Sequence, residues 1–138
     1  GYEFLQLPAS DRWGAFMRED DPLAALDAVS PSDLARRSLI LSEQASREMG
    51  AWFHRDLEDL DVVATYNLLY NAALLARRGI GVVVSLEGIV DTTEDSGLAF
   101  RPLEPAISAD VFIAWKRYQA FSPAAEAFLT AVRARWGA

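Results

Sequence analysis

The run Ile80-Gly81-Val82-Val83-Val84 constrains the fold more than any other stretch of this chain. It is short, continuous and β-branched, the composition of a strand buried on both faces. A helical pattern leads straight into it. Leu68, Leu69, Ala72, Leu75 and Ala76 fall on one side. Arg77 and Arg78 close the last turn, where cations suit the helix dipole, and Gly79 fits the position just past the C-cap.

The same alternation recurs on either side. Ser38-Leu39-Ile40-Leu41 reads as a buried strand, and Ser42 as the cap of a helix with Ala45, Met49, Trp52 and Phe53 on its apolar stripe. Asp61 to Tyr66 reads as another short buried strand, with helix from about Asn67. Strands alternating with helices predict an α/β fold with a partly parallel sheet. Upstream, Tyr2 to Leu7 and Trp13 to Arg18 are strand-like and flank the turn composition Pro8-Ala9-Ser10-Asp11, which predicts a hairpin. Ser30-Pro31-Ser32-Asp33 is a helix start with the elements of a capping box. Val90 to Gly97 is polar and loop-like; strands are expected over Leu98 to Leu103 and Asp110 to Trp115. Ser122-Pro123 opens a last helix, with Ala125, Phe128, Leu129, Val132 and Trp136 on one stripe.

Composition removes several classes of function. The 138 residues are about one domain's worth, 51% hydrophobic and 24% charged, as in an ordinary globular protein. No apolar run approaches the ~20 residues of a membrane span, and no cationic segment followed by an apolar one opens the chain. The chain starts at Gly1 and enters a strand-like run at once, which reads as a fragment or a processed chain. There is no cysteine, so disulfide frameworks and thiolate metal sites are out, in keeping with an intracellular, cytoplasmic setting. The net charge of −7 repels phosphate backbones, so this chain is not expected to hold nucleic acid by itself.

Little in the sequence supports catalysis or metal binding. His54 is the only histidine, and its expected place is a helix C-terminus. The acidic clusters Glu19-Asp20-Asp21 and Asp56 to Asp61 match no calcium loop and read as solvated faces. Gly79-x-Gly81 stands between helix and strand, the reverse of a dinucleotide-binding turn. Ser42 and Ser85 lack a nucleophile signature. No cofactor and no enzymatic activity are expected.

Two strand-to-helix turns stand out instead, because α/β sheets bind ligands beyond the carboxyl ends of their strands. One turn carries Ser42, Glu43 and Gln44; the other carries Thr65, Tyr66 and Asn67. These six residues are the candidate ligand contacts. Helix capping is the competing role, and the two roles are compatible.

At this point "DDPLA" (Asp20 to Ala24) followed by "VSPSDLARRSLIL" (Val29 to Leu41) resembles the effector-binding domain of LysR-type transcriptional regulators. That family has a "(H/D)PLA" turn, a short helix ending in "DL" and then a strand. "NAALLARRGIGVVV" (Asn71 to Val84), "LAFRPLEP" (Leu98 to Pro105) and "FIAWKRYQAFSPAAEAFLTAVR" (Phe112 to Arg133) resemble later family passages in the same order. Each motif alone is weak; their order and spacing are not. The resemblance implies a type 2 periplasmic-binding-protein-like fold, a mixed sheet flanked by helices, in which two α/β subdomains share a small-molecule cleft. It implies subdomain II with a crossover strand over residues 1–108, and a strand and helix returning to subdomain I over 109–138. The DNA-binding domain and the first part of subdomain I would then lie outside this chain.

The implied function is sensing of a small-molecule effector, often an organic acid, by a homo-oligomeric regulator that reaches DNA through its missing domain. Ser42, Gln44, Thr65, Tyr66 and Asn67 would supply contacts, with Glu43 less suited to an anionic effector. That carry-over is positional only. The alternatives are a solute-binding protein of the same fold and an oligomerisation fragment that binds no ligand. The apolar stripe of the last helix predicts packing on the chain's own sheet or on a second copy.

Overall fold

The structure is a computed structural model that describes residues 1–137. By its contacts the chain divides into two compact units, Arg12–Ile107 on the one hand, and Gly1–Asp11 with the residues from Ser108 onward on the other. The larger unit is built on a mixed sheet flanked by helices, as the sequence predicts.

Its sheet runs in the order β3-β2-β4-β1-β5 and is formed by β2 (Leu39–Ser42), β3 (Val62–Tyr66), β4 (Val82–Leu86), β5 (Leu98–Pro102) and the part of β1 (Tyr2–Arg18) from Arg12 onward. The pairs β2–β3 and β2–β4 are parallel. β1 is antiparallel to both of its neighbours in that order. Helices α1 (Pro31–Leu34), α2 (Ser46–Phe53) and α3 (Leu69–Arg77) connect them.

From Val82 on, the run behaves as its composition requires; Ile80 and Gly81 precede β4, and Ile80 is exposed. Val82 and Val84 join one core cluster with Leu34, Leu39, Leu41, Met49, Trp52 and Phe53. Val83 joins the cluster of the opposite face with Phe16, Ile40, Leu69, Ala72, Ala73 and Ala76. All three valines are at most 1% exposed. Alternate residues of β4 therefore point into α1–α2 and into α3, so both faces of the strand are covered. Each large side chain so buried stabilises the fold by about 1.5–3 kcal/mol.

The helix signals hold at α1, α3 and the last helix. Ser30 and Asp33 form a reciprocal capping box, with Pro31 in the first turn. Gly79 adopts a φ of 72° just beyond α3, which only glycine does without strain. Downstream, Glu94–Ser96 forms one 3-10 turn within the polar loop.

Four expectations need correction. The hairpin does not form: Tyr2–Arg18 is one continuous strand. A hairpin needs its two halves to pair with each other. Here Gly14 to Arg18 pairs with β5, and Trp13 to Phe16 with β4, while β6 (Ser108–Lys116) also pairs with β1. The turn-like Pro8 to Asp11 lies exposed, where a strand tolerates proline.

Ser42 does not cap α2. It ends β2, and the helix begins at Ser46 with Ala45 at the N-cap. Leu68 lies at the N-cap of α3 and is exposed, because the apolar stripe starts one residue later, at Leu69. Asp61 to Tyr66 is an edge strand and only half-buried, with Val63 exposed. Leu39 faces Val62 and Ile40 faces Ala64, so Val63 is the extra residue of a bulge.

In the smaller unit, β6 alternates as expected, with Val111, Ile113 and Trp115 on the more buried side. The Glu3 carboxylate accepts a hydrogen bond from the Trp115 indole at 2.7 Å, and the Arg133 guanidinium lies 4.8 Å from the centre of that ring. Helix α4 (Pro123–Trp136) starts on the Ser122 cap. Of its stripe, Leu129 and Val132 are buried, whereas Phe128 and Trp136 stay exposed.

Candidate ligand edge of the sheet

The three parallel strands β3, β2 and β4 end side by side at Tyr66, Ser42 and Leu86. Helices α2 and α3 begin directly after β2 and β3, so their first backbone N–H groups lie toward the same edge. Neither helix has a side-chain cap: Ala45 and Leu68 occupy the N-cap positions.

None of the six candidate residues therefore caps a helix. The Ser42 hydroxyl accepts a hydrogen bond from the Gln44 N–H at 3.3 Å, closing the turn after β2. The Glu43 N–H donates to the Tyr66 carbonyl at 3.1 Å, which ties the two turns together. Ser42 and Tyr66 are register partners. The side chains of Glu43, Gln44, Thr65 and Asn67 are exposed. The structure thus brings both turns to one edge.

Tyr66 is the most constrained of the six. Its hydroxyl donates to the Val84 carbonyl at 2.8 Å, so the ring reaches across β2 to β4. Burial pushes the phenol above its ordinary value of 10.0. Because the phenolic proton is committed to Val84, Tyr66 offers a ligand acceptor lone pairs rather than a donor.

Three further residues of this edge escaped sequence reasoning. Ser85, which lacks a nucleophile signature, is 5% exposed and lies between Val84 and the strand end. Its register partner on β1 is Gly14. Arg12 and Glu87 form a two-pronged ion pair: Arg12 Nε donates to Glu87 Oε2 at 2.8 Å, and Arg12 Nη2 to Oε1 at 2.9 Å. The pair holds the Glu87 carboxyl below its usual range and raises the guanidinium of Arg12. A spacing of 75 positions left no local signal for this pair.

Elsewhere, an open depression of about 650 Å³ lies along α2 and the residues after it, lined by Arg47, His54, Arg55, Asp56 and Asp59 among others. His54 is the C-cap of α2, in left-handed backbone. Among the described residues, no group of three or more His, Cys, Asp or Glu side chains is placed to hold a metal ion. Among the same residues, no helix is long and apolar enough to cross a membrane.

Comparison with known families finds that residues 1–137 match the family described as the LysR substrate binding domain. Solved structures agree on the fold. The effector binding domain of QuiR in complex with shikimate superposes with a TM-score of 0.78 at 17% identity, covering 98% of this chain and 65% of that one. The regulatory domain of CcmR from Synechocystis PCC6803 in complex with 2-PG gives 0.77 at 16%, covering 98% and 67%. A putative LysR family regulator from Pseudomonas aeruginosa gives 0.75 at 19%, covering 99% and 50%. The chain therefore spans between half and two-thirds of these structures. No curated protein sequence matches it.

Proposed function

The chain belongs to the LysR substrate binding domain family, and from that premise we propose that it senses a small-molecule effector at the carboxyl edge formed by β3, β2 and β4. The observation that carries this reading is the convergence of two uncapped turns on one sheet edge, joined by the Glu43-to-Tyr66 hydrogen bond. Ser42, Gln44, Thr65, Tyr66 and Asn67 contact the effector, with Glu43 at the rim. That structural neighbours carry shikimate and 2-PG supports a small polar ligand.

Residues 1–108 form the effector-binding subdomain with its crossover strand, and 109–138 the return to the other subdomain. The chain acts within a cytoplasmic, homo-oligomeric transcriptional regulator whose DNA contacts lie outside it; a net charge of −7 suits that division. It is not an enzyme: sensing needs only that the ligand bind one arrangement of the protein more tightly than another.

A thermal-shift screen of the 138-residue chain against small metabolites tests the reading. A hit is expected to raise the melting temperature, since a ligand that binds only the folded state stabilises it. The shift is expected to vanish in Asn67→Ala or Gln44→Ala, whose exposed side chains leave the fold intact. A hit that both variants retain would contradict the proposed edge. Sedimentation that returns a monomer at all concentrations would contradict self-association.

A further inference from the structure

The Arg12–Glu87 pair stands within the proposed ligand edge. β1 is antiparallel to β4, so its sequence at Arg12 meets the carboxyl end of β4, where the Glu87 N–H donates to the Arg12 carbonyl at 2.9 Å. Trp13 faces Leu86 and Gly14 faces Ser85. Strand alternation then places Arg12 and Glu87 on the face of Gly14, Phe16, Val83 and Ser85, which α3 covers and to which Tyr66 also belongs.

Along this row Ser42, Tyr66 and Ser85 are neutral, and Arg12 adds a full positive charge. Its fork holds the Glu87 carboxylate in the two-bond geometry that any carboxylate adopts on a guanidinium. Both side chains are exposed, at 57% and 41%, so their contact is easily exchanged. We propose that Glu87 is a built-in substitute for an acidic ligand group. Arg12 is the specificity-determining anion receptor of the edge, and a ligand carboxylate must displace Glu87 to reach it. The exchange conserves the guanidinium's hydrogen bonds and releases the Glu87 side chain, while the backbone bond from Glu87 N–H to the Arg12 carbonyl stays. A neutral ligand leaves the pair closed. This inference rests on the sensing reading above and adds to it the residue that selects acids.

The test is isothermal titration of the chain and its variants with benzoate, succinate and shikimate, each beside its neutral amide. At least one acid is expected to bind while its amide does not. Glu87→Gln opens the receptor and is expected to tighten that acid severalfold. Arg12→Gln is expected to weaken it about tenfold or more, the usual scale for a lost charge-assisted bond. Arg12→Lys keeps the charge without the fork and should fall between. Unfolding is not a concern at these exposed positions, and circular dichroism checks it. Equal acid binding by the parent chain, Glu87→Gln and Arg12→Gln overturns the proposal, as does acid binding by none of them. If an amide or another neutral ligand binds and loses affinity in Asn67→Ala, the receptor is refuted while the sensing edge stands.

Discussion

At the scale of single residues, Tyr66 and Gly14 show how the same face serves both fold and site. The Tyr66 hydroxyl closes the Val84 carbonyl, so Tyr66→Phe leaves that acceptor without its partner. The expected loss is about 1 kcal/mol in urea denaturation, with little change in the denaturant slope. Gly14 is a matter of space. A Cβ there would lie 2.1 Å from Phe100 Cζ and 2.5 Å from the Arg101 carbonyl oxygen. The ring could turn away, but the backbone oxygen cannot. Gly14→Ala is therefore expected to cost about 1–3 kcal/mol, read as a lowered melting temperature. Neither constraint could be read from sequence, because Tyr66 and Val84 belong to strands that are not neighbours, and Gly14 meets a residue of a distant strand.

At the scale of elements, signals contained within one element survived and signals that depended on a partner did not. The valine run and the Ser30 capping box are local, and both are as expected. The hairpin failed because strand pairing is decided by distant strands, and the start of α2 slipped because Ser42 is claimed by β2. The connection before α1 shows a similar dependence. Asp21 caps the 3-10 turn Pro22–Ala25 by accepting from the Leu23 N–H at 2.9 Å, and its carboxylate also receives both arms of Arg37. Chiefly through the bonds from Arg37, its carboxyl is lowered from the ordinary 3.8. A lowered folded-state value means the contribution is complete above about pH 3.8 and fades as the pH falls through the lowered value. Asp21→Asn keeps the cap and removes the charge. It is expected to lose about 1–2 kcal/mol at neutral pH, and the difference from the parent should shrink under acid titration.

At the scale of the whole molecule, the two strand-to-helix turns that the sequence singles out meet at one sheet edge, and the sheet order explains why. Parallel neighbours β3, β2 and β4 must end on the same side, so residues that follow each of them are brought together whatever their sequence distance. Arg12 and Glu87 reach the same edge only because β1 is antiparallel to β4, and no local pattern announces that. Everything proposed for this edge depends on the ligand binding there. Backbone amide chemical shifts, followed while a thermal-shift hit is titrated in, test it most directly. The largest changes are expected on Ser42 to Gln44, Thr65 to Asn67 and Ser85. Changes centred on the Arg47 to Asp59 depression, with those residues still, would contradict it.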